Sequence, residues 1–147
     1  WLIDYLVEHR AINIHMGLSP YYRGSSCNFW ALYDDNPSYV GATIHLLSKG
    51  LDSGDMLFHC VPKLKSEDSP FDFTMRSVLV AQQGLVAAVD NKTIFTLPTF
   101  KQDKSQEIRY TKNQDFNNEI ANEFLQRDIQ LDSESFLYPE LINPIFG

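Results

Sequence analysis

The chain has 147 residues, 44% of them hydrophobic and 13% aromatic, and a formal net charge of −7. That length favours one domain, and that apolar content supplies a core and excludes an intrinsically disordered chain. The negative balance repels phosphate backbones with no Lys/Arg cluster to offset it, and no apolar run approaches a membrane span, so neither nucleic acid nor a bilayer is an expected partner.

Trp1, Leu2, Tyr5 and Leu6 recur at helical spacing, so residues 1–9 read as the end of an amphipathic helix. "AINIHM", 11–16, reads as a short buried strand, and 17–24 as loop. Ser25 or Ser26 is placed to cap a helix reaching Asp34, with Phe29, Leu32 and Tyr33 on one side. "NPS" at 36–38 is a turn, and "YVGATIHLLS", 39–48, is a β-rich run apolar on both faces, as a central strand would be. A tight loop, 49–55, precedes a further strand, 56–62. Ser69 followed by Pro70 is an N-cap with proline at the first helical position, and Phe71 through Val89 continue that helix. "TIFTLP", 93–98, reads as a short strand, "FKQDKSQEIRY" as an exposed polar stretch, and 114–126 as a last helix. The aromatic, proline-broken tail is expected to pack as irregular chain.

The order helix, strand, helix, strand, strand, helix predicts an α/β sheet, whose ligands sit outside the carboxyl ends of strands. Asn13 and His15 fall at such an end and Asp52 in the loop after the next strand, so neighbouring strands would gather the three around one crevice. The two cysteines, Cys27 and Cys60, form no C-x-x-C pair and no zinc spacing, which points to reduced, half-buried thiols in a cytoplasmic protein without a bound metal. No signal peptide is visible, and a chain that opens on Trp1 in mid-helix reads as lacking its true start.

Together, Asn, His and Asp suit an acyl transfer in which the substrate supplies the nucleophile. A histidine exchanges protons near neutral pH, a carboxylate beside it fixes its tautomer, and an uncharged amide donates hydrogen bonds to a developing oxyanion. Each residue also has a plainer reading: Asn13 holding a turn, His15 as a satisfied buried histidine, Asp52 organising its loop.

The stretch "NIHMGLSPYYRG" followed by "VGATIHLLSKGLDSGDML" resembles the formyltetrahydrofolate-dependent formyltransferases, which include methionyl-tRNA, glycinamide ribonucleotide and sugar N-formyltransferases. Their hallmark is similar: N-x-H, a loop ending in P-x-Y/W-R-G, a strand G-x-T-x-H, then G-L/I-D-x-G-D/P. All four occur here in order, within residues 1–90. The resemblance implies the C-terminal part of a Rossmann-like doubly wound fold, a mixed, mostly parallel sheet flanked by helices, with the first βαβ half missing. It makes 1–147 one catalytic domain, with 99–147 as a polar segment, helix and aromatic tail.

The resemblance further implies that Asn13 binds the formyl oxygen, that His15 polarises the same centre and protonates the departing folate nitrogen, and that Asp52 holds His15 and helps deprotonate the attacking amine. Leu46, Leu47, Ser48, Lys49, Gly50 and Leu51 would lie along the pterin ring, and Tyr22 and Arg23 would border the acceptor. Met16-Gly17 replaces the family's usual Pro-Ser or Ala-Ser, a departure touching loop shape and acceptor choice. His45 reads as a packed or hydrogen-bonded structural histidine, and His59 as structural or exposed.

The implied activity is formyl transfer from 10-formyltetrahydrofolate to a primary amine of a small molecule, such as an amino sugar, with no metal. Rival readings are methionyl-tRNA formylation, hydrolysis of the formyl folate, and an incomplete folate-binding or assembly module. The acidic charge and the few residues after 98 oppose the tRNA reading. A sheet cut before its first half leaves an unpaired edge, which predicts a homodimer or larger assembly.

Overall fold

The computed structural model describes residues 1–50 and 52–147. In chain order the elements are α1 (Leu2–Glu8), β1 (Ile12–His15), β2 (Tyr22–Gly24), α2 (Cys27–Tyr33), β3 (Ala42–Leu46), β4 (Met56–Val61), α3 (Pro70–Asp90), β5 (Arg109–Thr111), α4 (Asn118–Leu125) and β6 (Ile145–Phe146). The central sheet runs β1-β3-β4-β6, and β2 pairs separately with β5.

Period-two alternation gives this sheet two chemically different faces. Ile14 pairs with Ile44 and Asn13 with His45 across the β1–β3 ladder. One face therefore carries Ile14, Ile44 and Leu46, which pack beneath Val80 and Ala81 of α3. The other carries Asn13, His15, Thr43 and His45. Thr43 is fully buried there, donating to the Gly17 carbonyl at 2.6 Å and accepting from the Ser19 amide at 2.9 Å, which ties down the loop leaving β1.

The sheet is mixed and flanked by helices, as expected, but its pairing is less parallel than expected. β1–β3 and β3–β4 are antiparallel, and only β4–β6 and the separate β2–β5 pair are parallel. Residues 47–55 explain the second antiparallel pair, because so short a link cannot make the crossover that parallel neighbours need.

Helix α3 starts where Ser69 and Pro70 predict. Ser69 accepts from the Asp72 amide and Asp72 reaches back to the Ser69 amide, a reciprocal capping box. Replacing Ser69 by Ala is expected to lower stability by about 1 kcal/mol and the melting temperature by about 4 °C, read by calorimetry. Ser26 behaves otherwise. It precedes α2 in the left-handed region, φ 56°, and makes no side-chain cap.

Three stretches fold differently from their sequence reading. The expected strand at 93–98 is instead a 3-10 turn at Thr93–Phe95, because the Asn91 side chain accepts from both the amide and the hydroxyl of Thr93. The polar stretch from Phe100 is largely exposed, as expected, but its end forms a strand, β5. Gly24, at φ 89°, lets β2 meet β5 closely, since a Cβ there would lie 1.8 Å from the Thr111 carbonyl oxygen. Arg109 of β5 binds Asp34 through two contacts, 2.8 and 2.5 Å, and lies 4.6 Å over the ring of buried Trp30.

The third is the tail, largely irregular as expected, but ending in a short strand that covers Cys60 and Val61 of β4. His59, buried in β4, fastens it. Its Nε2 faces the Ser19 carbonyl at 2.9 Å and so carries the hydrogen, while its Nδ1 accepts from the Ile142 amide at 2.9 Å. Burial lowers the His59 pKa to about 4, which keeps the ring neutral. β6 thus covers part of one edge of the sheet, and β1 is the other outer strand among the described residues.

Candidate functional site

The polar face of β1 and β3 ends in a four-residue cluster. Asn13 and His15 point the same way because they are two apart on one strand. His45 joins them because it is the direct cross-strand partner of Asn13. Asp52 reaches in from the loop after β3. The Asn13 amide nitrogen donates to Asp52 Oδ1 at 2.9 Å, His15 Nδ1 lies 3.3 Å from Asp52 Oδ2, and His45 Nε2 lies 3.6 Å from Asp52 Oδ1.

Asn13, His15 and Asp52 therefore meet, but not as parallel strand ends. Because β1 and β3 are antiparallel, the start of β1 lies beside the end of β3, and the loop from β3 comes back over Asn13. The gathering point is the β3 end of the ladder.

The partners of each ring fix the hydrogens. His45 Nδ1 donates to the Leu46 carbonyl at 2.8 Å, so in the neutral ring Nε2 is free to accept from the Asn13 amide, 3.2 Å away. Both hydrogens of the Asn13 amide are then engaged, one by Asp52 and one by His45. His15 Nδ1 faces the Asp52 carboxylate and its Nε2 faces the Tyr22 carbonyl at 3.3 Å. Each ring nitrogen thus has an oxygen acceptor within reach, which fixes the orientation of the ring. Hydrogen bonding to His15 in turn holds the Asp52 carboxyl well below the usual carboxylate range, against the upward push of burial.

Packing supports this arrangement. A Cβ at Gly17 would come within 2.7 Å of His15 Nε2 and 2.6 Å of Cys27 Cβ, so the glycine there makes room for both. The Cys27 sulfur sits 3.5 Å from His15 Nε2, and burial pushes its thiol up to about 12. It stays a thiol at neutral pH. Both cysteines are free and buried.

The remaining candidates are placed as follows. Leu46 ends β3, and Leu47 donates its amide to the Ala11 carbonyl at 2.6 Å. The Ser48 hydroxyl bonds the Gly50 carbonyl at 3.0 Å, and Lys49 pairs with Asp4 of α1. Leu51 lies outside the described residues. Tyr22 does not border an open site: it is 1% exposed, and its hydroxyl donates to Asp34 and accepts from Asn36. What it offers the cluster is its carbonyl. Arg23 is mostly covered and binds Glu107 at 2.9 Å.

Sequence reasoning left His45 among structural histidines. The signal that could have found it is its register, one alternation beyond Thr43 and opposite Asn13. An apolar groove of about 590 Å³, lined by Met16, Phe29, Met75 and Phe124 among others, contains none of the cluster. Shape alone would point there; the chemistry points to the β1–β3 face. Among the described residues no group of three or more His, Cys, Asp and Glu could hold a metal ion, and no helix is long and apolar enough to cross a membrane.

The formyl transferase family matches residues 3–89 of this chain. Methionyl-tRNA formyltransferase of Anaeromyxobacter sp. (strain K) is 29% identical over 101 residues, covering 69% of this chain and 32% of its own length. The chain thus spans about a third of the length of the curated relatives it matches. Among solved structures, the formyltransferase PseJ from Anoxybacillus kamchatkensis, in complex with UDP-4,6-dideoxy-4-formamido-L-AltNAc and tetrahydrofolate, superposes with a TM-score of 0.66 at 22% identity. That match covers 86% of this chain and 63% of PseJ, and it is a likeness of fold. A 4-N formyltransferase from Francisella tularensis gives 0.61 at 26% identity, over 76% of this chain and 45% of the other. With the match over residues 3–89 enclosing Asn13, His15, His45 and Asp52, the chain belongs to the formyl transferase family.

Proposed function

We propose that the cluster carries formyl transfer from 10-formyltetrahydrofolate to a primary amine of a small molecule, an amino sugar being the first candidate. The observation that carries this reading is the convergence of Asn13, His15 and Asp52, with the carboxylate held ionised. The folate supplies an activated formyl group. Lys49 and Gly50 are exposed, which leaves their backbone reachable for a flat ring laid along the loop. Asn13 is partly exposed, and its 3.2 Å contact to His45 is the bond that a formyl oxygen would replace. Its amide then donates to that oxygen as charge develops. Asp52, 17% exposed, accepts the proton that the attacking amine loses, directly or through water. His15, 5% exposed with both nitrogens engaged, keeps Asp52 ionised and is the proton source for the departing nitrogen.

The relatives named for tRNA leave the acceptor to experiment, and the net charge of −7 favours a small one. The protein would be incubated with 10-formyltetrahydrofolate and, separately, nucleotide-linked amino sugars, glycinamide ribonucleotide and methionyl-tRNA, with release of tetrahydrofolate and product mass followed. A formylated amino sugar is expected. Release without an acceptor identifies a hydrolase, and folate binding without turnover identifies a binding module.

Self-association along β1, an outer strand of the sheet among the described residues, accompanies this reading, because an unpaired strand edge invites pairing. Light scattering at rising concentration should report a dimer or larger, and a clean monomer contradicts it.

A further inference from the structure

The loop that presents Asp52 is held from outside the family-matched region. Gln102 lies beyond residue 89, in the polar stretch between Phe100 and β5. Its amide nitrogen donates to the Asp52 carbonyl at 2.8 Å and to the Gly54 carbonyl at 2.9 Å. The orientation is fixed by chemistry, since the flipped amide would set its oxygen against two carbonyl oxygens. A pair of main-chain bonds between Phe100 and Met56, 2.9 and 2.7 Å, anchors the segment two residues earlier.

The loop requires such a hold. Asp52 sits in the left-handed region, φ 48°, a conformation that a non-glycine residue holds only with support from its surroundings. Gly54 turns back so tightly that a Cβ would meet the Leu46 carbonyl oxygen at 1.6 Å. The two carbonyls that Gln102 grips belong to the residues on either side of Ser53. They set the direction in which the Asp52 side chain leaves the backbone, toward Asn13 and His15.

We propose that Gln102 is a positioning residue for Asp52: by clamping the carbonyls on either side of Ser53 it keeps the carboxylate within reach of His15 and Asn13. The proposal rests on the formyl-transfer reading for its kinetic consequence, but not for its structural one. It also gives the chain after residue 98 a part in the site, which the sequence left as an exposed polar stretch.

Two variants test it. Gln102→Leu fills similar space and donates nothing. Gln102→Glu keeps the shape but turns a carboxylate toward two carbonyl oxygens, so it should be the worse of the two at neutral pH. Misplacement by about an ångström costs up to about a hundredfold in rate, so kcat should fall about ten- to a hundredfold in Gln102→Leu while KM for the amine changes little. In Gln102→Glu activity should partly recover as the pH is lowered through the carboxyl titration, where the acid can again donate. Nitrogen NMR of the His15 ring supplies a readout that needs no turnover. Its Nδ1 signal should move away from the carboxylate-bonded position in both variants, with circular dichroism unchanged. Unaltered His15 ring signals in either folded variant overturn the proposal. If the wild-type protein transfers no formyl group but the ring signals move as stated, the clamp stands and the formyl-transfer reading fails.

Discussion

Asp52→Asn is expected to lower kcat for formyl transfer by about a hundred- to ten-thousandfold while the folate dissociation constant changes far less. The change is nearly isosteric, so the oxygen that accepts from Asn13 is kept and the Gln102 clamp on the main chain is untouched. What disappears is the negative charge 3.3 Å from His15 Nδ1. The amide nitrogen that takes its place presents hydrogens toward His15 Nδ1, so the ring loses the acceptor that oriented it. The attacking amine also loses its proton acceptor. Steady-state formylation beside a separate folate titration, wild type against variant, measures both effects. Turnover within a few-fold of wild type would reduce Asp52 to a turn-former.

Acid should loosen the tail before it reaches the site. His59 titrates at about 4 in the folded protein against 6.5 for a free histidine. Between those values the unfolded chain binds a proton that the folded one refuses, so stability rises with pH across this window and is complete above about 6.5. The difference amounts to about 3 kcal/mol, lost progressively as pH falls from 6.5 toward 4. The physical cause is local: burial strips the charged ring of solvent, and a second hydrogen on Nδ1 would also face the Ile142 amide hydrogen. The depressed carboxyl of Asp52 acts lower, contributing stability above its unfolded pKa of 3.8 that is lost on further acidification. Urea melts from pH 7 to 4 should therefore slope for the wild type. They should be flatter in His59→Leu, which is less stable at neutral pH because Ser19 and Ile142 lose their partner, a deficit of about 1–3 kcal/mol for each stranded group. A flat wild-type profile between pH 6.5 and 4 would show that His59 is not held neutral.

Both residues were visible in the sequence to different depths. Alternation alone puts Asn13 and His15 on one face of a strand, and a carboxylate in a glycine-flanked loop is a natural thing to bring to them. Chain order could not say that β1 and β3 run antiparallel, because the loop, the β2 strand and α2 between them fit a crossover equally well. His45 escaped for the same reason, since its role comes from being opposite Asn13, and register belongs to pairs of strands. The β2–β5 seam and the grip of Gln102 join residues far apart in the chain, through a three-residue strand and one amide too short or too ordinary to stand out. At 93–98 β-branched residues argued for a strand, but Asn91 offered the main chain a nearer hydrogen bond and a turn formed.

The protein has two tryptophans in opposite surroundings, Trp1 at 92% exposure and Trp30 at 3%, the latter beneath the Arg109 guanidinium. Their emission should separate, with a red component open to aqueous quenchers and a blue one that iodide and acrylamide barely reach. Because Arg109 lies on β5 and Trp30 on α2, any event that parts these two elements uncovers the blue emitter and leaves the red one as an internal standard. Intrinsic fluorescence can thus follow the opening of this seam without an added dye.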